Sequence, residues 1–158
     1  MPDITVTIRT YRAPDTVIRA YTRDLMVTSA AKVHELLTEE SAKRSDSLGG
    51  PDGAVDTGLL SGSFEILSVT DVDAWVGTRV RYAERLARGL PDPDVMEADI
   101  AGWAKRKRLP LRPGFSRAVA NKIRTKGPIP NPFHVRAHDR FIELAPGLIA
   151  EVTRRHDQ

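Results

Sequence analysis

One long helical stripe near the start of the chain limits the available folds more than any other feature. From about Asp15 to Lys43 apolar or small residues recur at steps of three and four, through Ile18, Tyr21, Leu25, Ser29, Val33 and Leu36. At 3.6 residues per turn these positions share one side of an α-helix. The run Ser29-Ala30-Ala31 keeps the middle of that helix slim, so another element can approach closely. A helix apolar along one side must bury that side against a second layer.

The remaining sequence supplies such a layer. Residues 3–11 alternate Ile4, Val6 and Ile8 against Thr5, Thr7 and Arg9, which predicts a half-buried strand. Residues 45–56, SDSLGGPDGAVD, are a loop by turn chemistry. From Leu59 to Val69 the residues Leu60, Gly62, Phe64 and Ile66 alternate on one side. After a turn near 70–73, Ala74, Val76, Thr78 and Val80 do the same. This predicts a β-hairpin that meets the long helix through Ile18, Leu25, Val33, Phe64, Ile66 and Val76.

Helices dominate the second half. Residues 88–94 form a loop, and Asp94 is placed to cap a helix carrying Met96, Ile100, Trp103 and Ala104. Leu109 to Gly114, with two prolines, ends it, and a short helix follows with Phe115, Val119 and Ile123. Residues 127–132 are extended, because a residue before proline is pushed out of the helical region. A closing helix from about Val135 turns Phe141, Ile142, Ala145, Ile149 and Val152 inward, with a kink or break at Pro146-Gly147. The expected fold is α+β: a single domain over residues 1–158, its long N-terminal helix packed on a small antiparallel sheet made of the hairpin and the N-terminal strand. A basic helical arm at about 94–134 and a C-terminal helix complete it.

Charge is unevenly spread although the formal net charge is only +3. Between Ala101 and Lys126 there are nine Lys or Arg and no Asp or Glu, while residues 39–56 lean acidic. Lys105-Arg106-Lys107-Arg108 is the densest basic run. It suits an acidic partner, protein or nucleic acid, beyond the ordinary preference for cations at a helix C-terminus. With no cysteine, disulfides and thiolate metal sites are excluded. The N-terminal residues lack the pattern of a signal peptide, and no apolar run approaches a membrane span. Neither a membrane association nor a cofactor is expected.

Reactive groups form no enzyme-like set. His134 and His138 share a helical face at i, i+4, as a metal pair would require, but spacing places no third ligand beside them. Asp56-Thr57-Gly58 lacks the frame of a phosphate loop or nucleophile elbow and reads as a loop-to-strand turn. Trp75, Trp103 and Phe133 read as core or interface anchors. Phe133, flanked by Pro132 and the basic stretch, is expected to anchor into a neighbouring subunit.

Several phrases, in order over about residues 15–155, resemble the neck or tail-completion proteins of siphophages. They begin with Val55-Asp56-Thr57-Gly58-Leu59-Leu60-Ser61-Gly62-Ser63-Phe64 at the start of the hairpin. Next comes Val76-Gly77-Thr78-Arg79-Val80-Arg81-Tyr82-Ala83-Glu84 on the second strand. Trp103-Ala104-Lys105-Arg106-Lys107 and Ala118 to Gly127 then match two helices, and Pro132-Phe133-His134-Val135-Arg136-Ala137 precedes the closing helix. Where the family often ends the Tyr-Ala phrase in Glu-Gly-Thr, this chain has Arg85 to Gly89. The resemblance implies a non-enzymatic virion protein, made in the host cytoplasm and built into the neck as a homo-oligomeric ring of six copies. Its implied partners are a head connector or stopper protein, the tail terminator and the tail tube protein, with contact to packaged DNA or the tape measure protein also open. A small basic nucleic-acid-binding protein is the alternative.

Overall fold

The computed structural model describes residues 4–9, 16–43, 59–106 and 108–157. The loop expected at 45–56, together with Thr57, Gly58 and Lys107, lies outside them. Strand β1 (Ile4–Arg9) precedes helix α1 (Thr16–Ala42), and a short 3-10 turn (Ser61–Ser63) leads into β2 (Phe64–Val69) and β3 (Asp73–Thr78). Helices α2 (Ala83–Arg88), α3 (Glu97–Arg106), α4 (Phe115–Lys126) and α5 (Phe133–His156) follow. The α+β architecture, with a long N-terminal helix on a small antiparallel sheet and a closing helix, is present.

The three strands form one antiparallel sheet in the order β1-β3-β2, so β3 is central. Thr70 shapes the β2–β3 turn: its Oγ1 accepts the backbone N–H groups of Val72 and Asp73 at 3.2 and 3.0 Å. Period-two alternation holds in the side chains of β3, where Ala74, Val76 and Thr78 are buried and Trp75 is exposed on the other face, although Gly77 on that face is buried too. In β2 it fails. The register shifts between Ile66 and Ser68, an extra residue that moves later side chains to the opposite face. The shift brings Val69 opposite Ala74 and against the core, while Ile66, paired with Val76 just before it, is 44% exposed rather than buried as expected.

Helix α1 is covered twice, by the sheet and by α5. That is why its buried set, Met26, Ser29, Ala30, Val33, Leu36, Leu37, Glu40 and Ser41, extends beyond the predicted stripe. The expected contact through Ile18 and Leu25 is not made: Ile18 is exposed, Leu25 only half-buried, and Met26 takes the interior place. The two helices run antiparallel. Tyr21 Oη and Thr153 Oγ1 lie 3.1 Å apart near one end of the pair, and Arg140 reaches Glu39 at 2.7 Å near the other.

Beyond β3 the chain departs from expectation. Residues after Thr78 leave the sheet, Tyr82 ends at the surface, and α2 occupies part of a stretch expected to be strand and loop. Helix α5 begins at Phe133, not Val135, with the Pro132 carbonyl accepting the N–H groups of Val135 and Arg136. It runs unbroken through Pro146. Proline removes the donor to the carbonyl four residues back, that of Ile142. Ile142 is 57% exposed, so water can take the missing donor's place. Inward from α5 come Phe133, Ala137 and Val152, with Phe141 against the core. Ile142 and Ile149, expected inside, face outward.

Phe133 reverses its expected role. Its ring is fully buried in its own chain, edge-on to Phe64 with centroids 5.9 Å apart. It cannot anchor a neighbour in this fold.

Candidate functional site

Helices α3 and α4 build an arm that packs chiefly on itself. Ile100, Ala104 and Ala120 are buried and Trp103, Phe115, Val119 and Ile123 half-buried, while neither helix makes an extensive contact with α1, α5 or the sheet. Helix α3 is preceded by Met96, whose carbonyl accepts the N–H of Asp99 at 3.1 Å and whose own N–H donates to Asp99 Oδ2 at 2.9 Å. This is half of a capping box. Asp94, expected as the cap, instead donates its N–H to Asp92 Oδ1 at 3.2 Å and faces Arg85.

The root of the arm is a pinch between two glycines. Gly89 (φ 69°) closes α2 and Gly127 (φ 80°) closes α4. A Cβ on Gly127 would stand 2.0 Å from the Gly89 carbonyl oxygen, and one on Gly89 would stand 2.6 Å from the Pro130 ring. Asp92 N–H donates to the Ile123 carbonyl at 3.1 Å, Arg124 Nε donates to Val95 O at 2.7 Å, and Arg85 pairs with Asp92. The Gly127→Ala change is expected to cost at least about 1–3 kcal/mol and to displace the arm, read as lower stability in urea and altered α4 amide shifts. Unchanged stability and shifts would show that the pinch does not hold the root.

The arm spans residues 90–126, shorter than the expected 94–134 at its far end. Residues 127–133 return to the main core: Gly127, Asn131 and Phe133 are buried, and Asn131 N–H donates to Leu86 O at 2.9 Å. Phe133 thus belongs to the core, and the exposed Pro132 stands beside it at the start of α5, so neither shares a surface with the basic run. Gly77 is buried in β3.

The cations collect at the other end of the arm. Lys105, Arg106, Arg108 and Arg112 are exposed there. The chain turns by a Schellman motif, with Leu109 N–H donating to Ala104 O at 2.9 Å and Arg108 N–H to Lys105 O at 3.1 Å. Arg108 sits in the left-handed region at φ 53°, alone among the described non-glycine residues. Leu109, Pro110, Leu111, Arg112 and Pro113 then form an exposed connection, where the two prolines hold Leu109 and Arg112 extended. Acidic Asp92, Asp94, Glu97 and Asp99 lie toward the start of α3, and Glu97 holds Arg117 at 3.0 Å. An open hollow of about 280 Å3 between Glu97, Leu111, Arg112, Gly114, Ser116 and Arg117 adjoins the tip. The basic run was visible in sequence. The apolar-and-cationic connection behind it carries a weaker signal, the phrase Arg108-Leu109-Pro110-Leu111-Arg112-Pro113.

The histidine pair does not converge on a metal geometry. Burial pushes His134 below its usual pKa, assisted by Arg88 and Arg136, and its Nδ1 is buried without a partner. His138 is exposed beside Asp139 at 3.2 Å. Among the described residues no group of three or more His, Cys, Asp or Glu could hold a metal, and no helix is long and apolar enough to cross a membrane.

A second polar cluster, not foreseen, joins α1 to α5. The Glu40 side chain is 2% exposed and is held by Lys43, by Arg136 Nε at 3.0 Å and by Arg140 Nη1 at 2.7 Å. Arg136 also donates to the Glu40 carbonyl and to Asn131 Oδ1, each at 2.8 Å. Burial, the largest influence, opposes ionisation of Glu40. The hydrogen bonds from Lys43, Arg140 and Arg136 outweigh it together and hold the pKa at about 2. Every strong contact is internal, which marks this as a clamp between helices.

Comparison of the chain with protein-family models, curated proteins and solved structures finds no match.

Proposed function

We propose that the chain is a structural subunit of the neck of a long-tailed bacteriophage, one copy of a closed ring at which the tail is completed and joined to the head. The observation that supports this reading is the way the ordered phrases fall on successive elements. Leu59 to Phe64 opens β2, the Val76 to Glu84 phrase runs from the end of β3 into α2, Trp103 stands in α3, Ala118 to Gly127 covers most of α4 and its exit, and Pro132-Phe133 starts α5.

A ring subunit needs two different surfaces for its two neighbours. Here β1 and β2 are both edges of the sheet, one sheet face carries the exposed Trp75, and the arm stands apart from the core. The β2 bulge distinguishes the edges, since bulges discourage strand addition. In this reading the head connector or stopper lies on one side of the ring, and the tail terminator and tube protein on the other.

Native mass spectrometry of the full chain tests the ring. The expected species is six times the 17.5 kDa subunit mass. A chain that stays a single copy at its highest soluble concentration, and is found singly in cross-linked virions, overturns it.

A further inference from the structure

We infer that the arm tip is a binding surface for double-stranded nucleic acid. Lys105, Arg108 and Arg112 would lie on phosphates, with Leu109 and Leu111 against the groove between them. This goes beyond the neck reading and holds whether or not the chain forms a ring.

Three observations converge on the tip. The first is charge: exposed Lys105, Arg106, Arg108 and Arg112 share one turn and its connection, and no acidic residue occurs from 101 to 126. The arm's own carboxylates, Asp92, Asp94, Glu97 and Asp99, precede this span; Arg85 takes Asp92 and Asp94, Arg117 takes Glu97, and Asp99 caps α3. The second is backbone conformation. A Schellman turn places its penultimate residue in the left-handed region, where glycine is the least costly choice. An arginine occupies that place at φ 53°, and the strain makes sense if the guanidinium is needed there. The third is the apolar pair: Leu109 is 39% and Leu111 49% exposed, either side of Pro110 and flanked by Arg108 and Arg112. Proteins that enter a minor groove combine flanking arginines with leucine or proline wedges in this way. Aromatic side chains, which a single-strand platform would stack on bases, are missing from the tip sequence 105–113.

Fluorescence anisotropy of the full chain with a labelled random-sequence DNA duplex, across a salt series, tests the inference. Three or four phosphate contacts predict a slope of log K on log salt of about −3 to −4, or roughly a hundredfold loss between 50 and 200 mM. Arg108→Gly is the discriminating variant. It relieves the backbone, so the fold should be as stable or more stable. Binding should nevertheless weaken, with the slope shallower by about one. A purely structural arginine would give the stability gain with binding unchanged. Leu109→Ser with Leu111→Ser should weaken binding at an unchanged slope, while Arg23→Ala, on exposed α1 surface, should leave it intact. The inference is overturned if the native chain does not bind duplex at low salt, or if Arg108→Gly binds as the native chain does. It is also overturned if single-stranded DNA, polyglutamate or anionic phosphatidylserine vesicles bind at least as tightly as the duplex under the same salt.

Discussion

Replacing Phe133 by alanine is expected to destabilise the protein by about 3–5 kcal/mol, the range for removing a buried aromatic ring. The ring is completely buried and belongs to one cluster with Val33, Leu36, Leu37, Phe64, Val76 and Ala137. It also opens α5, two residues after the buried Asn131, so the cavity would sit where the closing helix meets α1 and the sheet. For a domain of this size the melting temperature should fall on the order of 10 °C. Phe133→Leu, which keeps most of the volume, should lose much less. Urea denaturation of both variants checks this. A loss below about 1 kcal/mol for the alanine variant, small against the expected cavity cost, would mean that the ring is not seated in the core.

Acid should weaken the protein through Glu40. This carboxyl ionises in the folded state with a pKa of about 2, against an ordinary value of 4.5. A depressed folded-state pKa contributes stability that is fully present above the unfolded value and disappears as pH falls through the folded one. The difference corresponds to about 3 kcal/mol, present above pH 4.5 and lost by about pH 2. Glu40→Gln should remove most of this acid dependence and should also destabilise at neutral pH. That neutral-pH loss falls toward the lower part of the roughly 3–5 kcal/mol seen for broken buried pairs. Arg136 and Arg140 are 32% and 38% exposed, so water can take up some of their charge. Unfolding free energies of native and variant chains between pH 7 and pH 2 should converge as acid is added. Parallel curves would remove Glu40 as the source.

Elements with a single buried face were legible in the sequence. The alternation of β3 and the turn at Thr70 follow local rules, and the length of α1 follows its periodicity. What escaped was set by more than one neighbour. Because α1 is covered on two sides, its interior includes Met26, Ala30, Leu37 and Glu40 besides the predicted Ser29, Val33 and Leu36. The β2 bulge hides in a run that looks evenly alternating, since Ile66 and Leu67 are equally apolar. On α5, Ile142 and Ile149 compete with Phe141 and Val152 for the inward face, and only the tertiary contact decides. The basic arm is visible as composition, but the core role of Phe133 is not, because prolines separate the ring from other apolar residues along the chain. In space Phe64, nearly seventy positions earlier, supplies the missing partner.

The glycine-pinched root also divides the molecule into two units of cooperativity. The interior of the arm is Ile100, Ala104 and Ala120 with their half-buried neighbours, while the main cluster runs from Ala30 to Ala137 without them. A small self-packed hairpin on a narrow root opens at a lower free energy than the body that carries it. Amide protons of α3 and α4 would then exchange as one early group, while those of α1, β3 and α5 wait for global unfolding. Substitutions in the arm would add to those in the body with little coupling, so the arm's sequence could drift without disturbing the stability of the scaffold that presents it.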